Sequence, residues 1–290
     1  TAELYSVPPK KETWGSTEKI IGNWLEKKKC REKLILATKV TGRSGMKWFR
    51  GKETRLDKEQ ITKALDGSLK RLKTDYIDLY QLHWPERSVN NFGQIGYVHQ
   101  KNEGKWNDFE SILISLSKFI KKGKIRYIGV SNESAFGLSN FLNISKNKNL
   151  PRMVSIQNPY NLTNRTYEIG LSEISIRDKC GLLAYYPLAT GYLTGKYRNN
   201  QMPKNSRQAL FKGWERYGNS KALLAYEEYY NLAKESGITA TQLAQAFVFS
   251  RPFVTSNIIG ATTMDQLKEN IGSIEIKLTE EILEKINIIH

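Results

Sequence analysis

Apolar and polar positions along the chain fall into two recurring patterns. Short, nearly continuous apolar runs read as buried strands, and longer stretches with apolar residues at helical spacing read as amphipathic helices. The clearest strand runs from Tyr76 to Leu82, β-branched, aromatic or leucine at most positions. It is stopped by Pro85, which has no N–H for a ladder. His83 stands where that strand gives way to loop. Similar runs at 34–39, 125–132, 153–157, 182–185 and 256–259 predict five more strands. Helices are predicted at 19–27, 60–72, 112–122, 136–146, 167–179, 222–236, 241–249, 264–271 and 280–288. In the second of these, Ile61, Leu65, Leu69 and Leu72 share one face. Capping-box spacing occurs at Asp57/Gln60, Thr239/Gln242 and Thr263/Gln266.

Strand–helix alternation with short connections predicts a parallel sheet wrapped by helices. Six strands suit an open sheet, whereas a (β/α) barrel needs eight. No Gly-rich dinucleotide fingerprint follows any of the strands, which argues against a Rossmann reading. The long irregular stretches 88–106 and 189–219 follow two strand ends, where loops of that length usually serve binding. In a parallel sheet the strand-end residues Lys39, His83, Ser131, Asn132, Gln157 and Tyr185 share one edge, as in the sites of α/β enzymes. Singly, a strand-end His reads as a hydrogen-bonded structural residue and a strand-end Lys as a solvated one; the grouping is the signal.

Composition narrows the class. A chain of 290 residues, 39% hydrophobic and 11% aromatic, can bury a sizeable core in one large α/β domain or two small ones. No apolar run approaches ~20 residues, so no membrane partner is expected. No signal peptide is visible, and Thr1 is not an initiator methionine. Cys30 and Cys180 lack partner spacing, which argues against a disulfide framework or a zinc site and fits a reducing, cytoplasmic setting with no metal expected. The net charge of +16 would suit nucleic acid. Yet the lysines (Lys10, Lys11, Lys27 to Lys29, Lys121, Lys122, Lys124) are scattered over helix faces and loops, and no basic helix gathers them. A solvated surface, together with attraction of an anionic phosphorylated cofactor, accounts for the charge without nucleic acid.

Seven segments, in order and spread from one end of the chain to the other, resemble the aldo-keto reductase family, in particular its Tas-type bacterial members. They are Thr1-Ala-Glu-Leu-Tyr5-Ser-Val-Pro-Pro, Lys33-Leu-Ile-Leu-Ala-Thr-Lys39, Asp75 to Pro85 around His83, Gly123 to Asn132, Ser155-Ile-Gln157-Asn158, Leu183 to Tyr197, and Gly260 to Asn270. The resemblance implies a (β/α)8 barrel, with residues 1–290 a single domain. It also implies a Tyr, Lys, His and Asp tetrad, in which Tyr5, Lys39 and His83 match the first three. The Asp would lie directly before Thr1. The family's first strand, first helix and most of its second strand would also lie upstream, so an N-terminally incomplete fragment is expected. The chemistry is coherent: a phenol of pKa about 10 gives up its proton poorly near neutrality, and a nearby ammonium lowers that barrier. His83 would orient the substrate carbonyl, and the nicotinamide would supply hydride.

Cofactor positions carry over in the same way. Ser131, Asn132 and Gln157 match residues that hold the carboxamide, and Tyr185 matches the aromatic that stacks on nicotinamide; without the family it reads as an ordinary buried tyrosine. Leu188, Gly191 and Lys196 match the pyrophosphate loop. Gly260, Thr262, Thr263, Gln266 and Asn270 match the adenosine-phosphate segment, where a helix N-terminus can face phosphate. Many relatives that prefer the 2′-phosphate carry Arg where Thr263 stands, so NADPH is expected with NADH possible. Arg207 would supply the missing charge, its other reading being a solvated surface Arg. Trp84 is the expected substrate-lining residue; Trp106, Trp214 and Tyr217 read equally as packing residues. The expected partner is a small-molecule aldehyde or ketone. The alternative is a regulatory NADPH-binding subunit, as in potassium-channel β subunits that resemble this family.

Overall fold

The computed structural model describes residues 1–211 and 216–290 of the chain. These divide into two compact units, Thr1–Ile156 and Gln157–His290.

In the first unit, helix Ser16–Lys28 and a 3-10 turn Arg31–Lys33 lead to β1 (Ala37–Val40). Helix Lys58–Leu72, β2 (Ile77–Leu82), helix Phe109–Lys121, β3 (Ile125–Ser131) and helix Ala135–Lys148 follow, and β4 (Met153–Gln157) ends at the junction. β1, β2 and β3 pair in parallel, with Lys39 opposite Gln81 and Gln81 opposite Gly129. The His83 N–H continues the ladder to the Val40 carbonyl at 2.9 Å. The predicted helical face is realised: Ile61, Leu65, Leu69 and Leu72 are buried, and so are Ile77, Tyr80 and Leu82 of β2. The Asp57 side chain caps its helix by accepting from the Gln60 N–H at 2.8 Å. The return half of that capping box is not made, because Gln60 Oε1 accepts from Arg50 Nε and the Arg55 N–H instead.

β1 begins three residues later than the apolar run predicts. Leu34 and Ile35 are exposed, at 38% and 86%. The polarity pattern misleads here because Leu36 is the first residue held against β2: its carbonyl accepts from the Asp78 and Leu79 N–H groups. Its own N–H donates to Asp78 Oδ2 at 2.9 Å. Asp78 also receives Arg31 at 2.6 Å and Arg126 at 2.8 Å, and both guanidiniums lie on the Tyr76 ring.

In the second unit, β5 (Gly181–Ala184) and β6 (Val254–Asn257) pair in parallel. Helices Ser220–Glu235, Ala240–Phe249, Met264–Gly272 and Glu280–Ile289 fall close to their predicted spans. The Thr239/Gln242 capping box is complete. The helix predicted at 167–179 is split into a 3-10 turn Thr166–Glu168 and a short helix Leu171–Arg177. The break is at Gly170, whose φ of 102° suits glycine alone. Tyr185 lies just past β5, in an isolated bridge with Pro159 rather than in the strand itself. Tyr160, Tyr167, Phe247 and Phe253 form an aromatic core, with Tyr160 stacked on Phe247 at 5.8 Å. Among the described residues no helix is long and apolar enough to cross a membrane.

Candidate active site

The first unit brings Tyr5, Lys39 and His83 together. Lys39 is the third residue of β1 and His83 directly follows β2, so the parallel pairing sets both at one strand edge. The Tyr5 hydroxyl lies 3.4 Å from His83 Nε2, with the rings edge to face at 5.4 Å. Lys39 Nζ lies 5.2 Å from the centre of the Tyr5 ring and donates to the Thr1 carbonyl at 2.7 Å.

Burial sets the electrostatics. Lys39 is 3% exposed, and loss of hydration pulls its ammonium down to about 8, opposed by the charge of Glu18. His83 is 6% exposed and is pushed well below the usual imidazole value, by burial first and by the Lys39 charge next. It is therefore neutral near pH 7. Its Nδ1 is buried and has no hydrogen-bond partner among the described residues. A buried N–H without an acceptor is rarer and costlier than a buried lone pair. The proton accordingly belongs on Nε2, the nitrogen that faces the Tyr5 hydroxyl.

Asn132 reinforces His83. Its side-chain amide donates to the His83 carbonyl at 2.9 Å and to Ser131 Oγ at 3.2 Å, with its own backbone at φ 52°. Beyond His83 lies Trp84, 4.8 Å from the imidazole, whose indole N–H donates to the Arg43 carbonyl at 2.9 Å. Trp84 borders an open groove of about 510 Å³ in the first unit, flanked by Arg43, Phe92, Val98 and a row of carboxamides from the 88–106 loop. Trp106 is not on that groove; it packs edge-on against Phe109 at 5.3 Å, beside a separate crevice of only about 10 Å³.

Two buried carboxylates that sequence reasoning passed over support the trio. Glu3, 1% exposed, donates its N–H to the Lys39 carbonyl and accepts at Oε1 from the Thr41 N–H at 2.8 Å and at Oε2 from Arg50 at 2.7 Å. Glu18, fully buried, accepts from the Thr38 hydroxyl at 2.5 Å and from Arg71 at 2.7 Å. The available signal was positional: each lies close in sequence to Tyr5 or opens the following helix.

The remaining residues predicted from the sequence lie in the second unit. Gln157 is buried and Tyr185 is half-buried, its hydroxyl 3.5 Å from Arg216 Nη1. The Leu188 carbonyl accepts the Gly191 N–H at 2.8 Å. Gly191 has φ 102°, and a Cβ there would sit 2.7 Å from Lys196 Cε. Arg207 lies over Tyr186, 5.6 Å from the ring centre, and donates to its hydroxyl at 3.4 Å. Gly260, Thr262, Thr263 and Gln266 are exposed, and Thr263 caps helix Met264–Gly272. Gln266 Oε1 accepts from Thr262 rather than closing a capping box, and the buried Asn270 donates to the Gly260 carbonyl. Both thereby shape the 260–263 turn. Tyr217 is 5% exposed and packs with Tyr186, Asn164 and Tyr226. Trp214 lies outside the described residues.

A phosphorylated dinucleotide fits this donor set. Gly191 lets the Lys196 stem lie against the backbone of its loop, and neither Lys196 nor Arg207 has a carboxylate partner among the described residues. The N–H groups of helix Met264–Gly272 open onto exposed hydroxyls. The described residues hold no cluster of His, Cys, Asp and Glu suited to a metal.

The chain is similar to several known proteins. The chain is 46% identical over 297 residues to protein tas of Escherichia coli (strain K12), covering all of this chain and 84% of that protein. It is 39% identical over 275 residues to an aldo-keto reductase of Babesia bovis, covering 89% of this chain and 96% of the relative. It is 31% identical over 295 residues to a Schizosaccharomyces pombe protein carried under a voltage-gated potassium channel subunit beta name, covering 99% and 78%. The fold class is α/β of the (β/α)8 type. The aldo/keto reductase profile matches residues 1–290, and the chain belongs to that family.

Proposed function

We propose that the protein reduces an aldehyde or ketone to an alcohol with NAD(P)H, and that residues 1–290 act as one aldo-keto reductase domain in a reducing cytoplasm. The observation that carries this reading is the buried trio in the first unit: a phenol 3.4 Å from a neutral imidazole, with an ammonium over its ring. When bound, the nicotinamide supplies hydride to the carbonyl carbon. Tyr5 donates the proton that the resulting alkoxide needs. Lys39 stabilises the phenolate left behind, and His83, protonated at Nε2, donates a hydrogen bond that orients the carbonyl. Trp84 offers an aromatic wall to the substrate, beside the open groove.

Ser131, Asn132, Gln157 and Tyr185 would hold the nicotinamide end. Leu188, Gly191 and Lys196 would hold the pyrophosphate, and Gly260, Thr262, Thr263, Gln266 and Asn270 the adenosine end. Arg207 favours the more highly charged NADPH over NADH. Cys30 and Cys180, which are not joined in a disulfide, suit a reducing compartment. The protein expressed from its full coding sequence should oxidise NADPH in the presence of 4-nitrobenzaldehyde, and Tyr5→Phe should abolish turnover while leaving NADPH binding intact. Normal turnover in Tyr5→Phe would refute the assignment. NADPH binding without turnover in the unaltered protein would instead support a regulatory subunit, the reading that the Schizosaccharomyces pombe relative's name suggests.

A further inference from the structure

We propose that Glu3, with Arg50 behind it, is a positioning residue that fixes the Tyr5 phenol relative to Lys39. The inference rests on the assignment of Tyr5 as proton donor and goes beyond it. The segment carrying Tyr5 is an irregular turn, closed by the Tyr5 N–H on the Ala2 carbonyl at 3.1 Å. Such a turn has no regular ladder to set its register. Glu3 provides one. Its backbone N–H meets the Lys39 carbonyl at 3.2 Å, and its carboxylate reaches two residues further along the same backbone to the Thr41 N–H. The backbone of Glu3 and its side chain thus grip β1 and its exit at two points, Lys39 itself, whose ammonium faces Tyr5, and Thr41 two residues beyond.

Arg50 completes the grip. It holds the second carboxylate oxygen of Glu3 at 2.7 Å, and its own Nε donates to Gln60 in the helix that follows β1. The side chains of Glu3 and Arg50 are 1% and 8% exposed, so neither is a solvated surface charge. A buried ion pair of this kind contributes little net stability compared with an apolar replacement, and the best-attested reason to keep one is to specify a register. Here the register fixed is that of Tyr5 over Lys39. Proton transfer is steeply sensitive to such placement, and a shift of about 1 Å can cost on the order of 10²-fold in rate.

The test uses Glu3→Ala, Glu3→Gln and Arg50→Met in the protein expressed from its full coding sequence. Turnover, NADPH affinity by fluorescence titration, melting, and spectrophotometric titration of the Tyr5 phenol are measured. The phenol signal is isolated as the difference between each protein and its Tyr5→Phe counterpart. Glu3→Ala should lower kcat by at least 10-fold, roughly the lower end of what misplacement of a catalytic group costs, with KM and NADPH affinity within two-fold of the unaltered protein. Glu3→Gln, which keeps an acceptor for Thr41, should fall less. The Tyr5 phenol should titrate at higher pH in Glu3→Ala, because Lys39 no longer faces it squarely. A kcat within two-fold of the parent, or a parallel fall in NADPH affinity, would overturn the proposal. If Glu3→Ala does not fold, Arg50→Met and Glu3→Gln carry the same readouts. If the unaltered protein shows no turnover, the reductase reading fails on its own, and the phenol titration still decides: a shifted phenol supports positioning by Glu3 and an unmoved one refutes it.

Discussion

Replacing Lys39 by methionine should make the protein more stable and catalytically dead. Methionine has about the length of the lysine stem and no charge to desolvate. The lysine is 3% exposed, and burial brings its ammonium from 10.5 down to about 8. That interval corresponds to roughly 3 kcal/mol by which the folded state disfavours the charged form. Set against it is the bond from Nζ to the Thr1 carbonyl at 2.7 Å, a charge-assisted contact of about 1.5–3 kcal/mol. The balance favours methionine by about 1 kcal/mol at pH 7, a Tm rise of a few degrees at most. The pH dependence is the sharper signature. Below about 8 both folded and unfolded chains hold the proton, and the cost of burial is present in full. Between about 8 and 10.5 only the unfolded chain holds it, so raising the pH favours the folded state of the lysine protein and not that of the variant. Urea unfolding of both proteins at pH 7, 8.5 and 10 should therefore show the advantage of methionine shrinking and then reversing. A variant less stable by more than about 1 kcal/mol at pH 7, or a difference that stays flat across the series, would refute the argument that Lys39 is charged at a desolvation cost.

Other substitutions test other parts of the fold. Asp78→Ala leaves Arg31 and Arg126 on the Tyr76 ring without their shared carboxylate and the Leu36 N–H without its acceptor; chemical denaturation should register a loss of about 3 kcal/mol. Burial pushes the Asp78 carboxyl up, but the Leu36 N–H and Arg31 outweigh it and hold the value below 3.8. Its stabilising effect is accordingly present above 3.8 and lost as pH falls through the lower folded value, an acid transition that Asp78→Ala should flatten. Gly191→Ala places a side chain at φ 102° and against Lys196; fluorescence titration should show NADPH binding weakened about 10-fold while Tm falls by only a few degrees. Thr239→Ala removes a complete capping box and should cost about 1 kcal/mol by urea unfolding.

Much of the fold was legible because its strands are apolar and its helices amphipathic with polar caps. β2 was the clearest, since Ile77, Tyr80 and Leu82 are all buried. The reading erred where polarity and burial part company. Leu34 and Ile35 have strand-like character yet stand exposed before β1, because register is set by Leu36 against Asp78. The helix over 167–179 looked continuous, and the left-handed backbone at Gly170 interrupts it. In the site, Tyr5, Lys39 and His83 were found by their place in recurring segments, and the parallel pairing of β1 with β2 sets the last two at one edge. Glu3 and Glu18 were passed over for a physical reason: a carboxylate in a sequence reads as solvated. Only the three-dimensional arrangement shows the Arg50 and Arg71 guanidiniums that allow each to be buried.

Gly42 lies directly beneath Trp84. A Cβ there would sit 2.5 Å from the indole Cδ1 and closer still to the Trp84 carbonyl. The carbonyl is backbone, so no change of side chain at residue 84 relieves that clash. Gly42 is therefore a fixed floor and Trp84 the adjustable wall above it. A library aimed at a new substrate gains from varying residue 84 over an unchanged Gly42, since any side chain at 42 displaces the backbone that carries the wall.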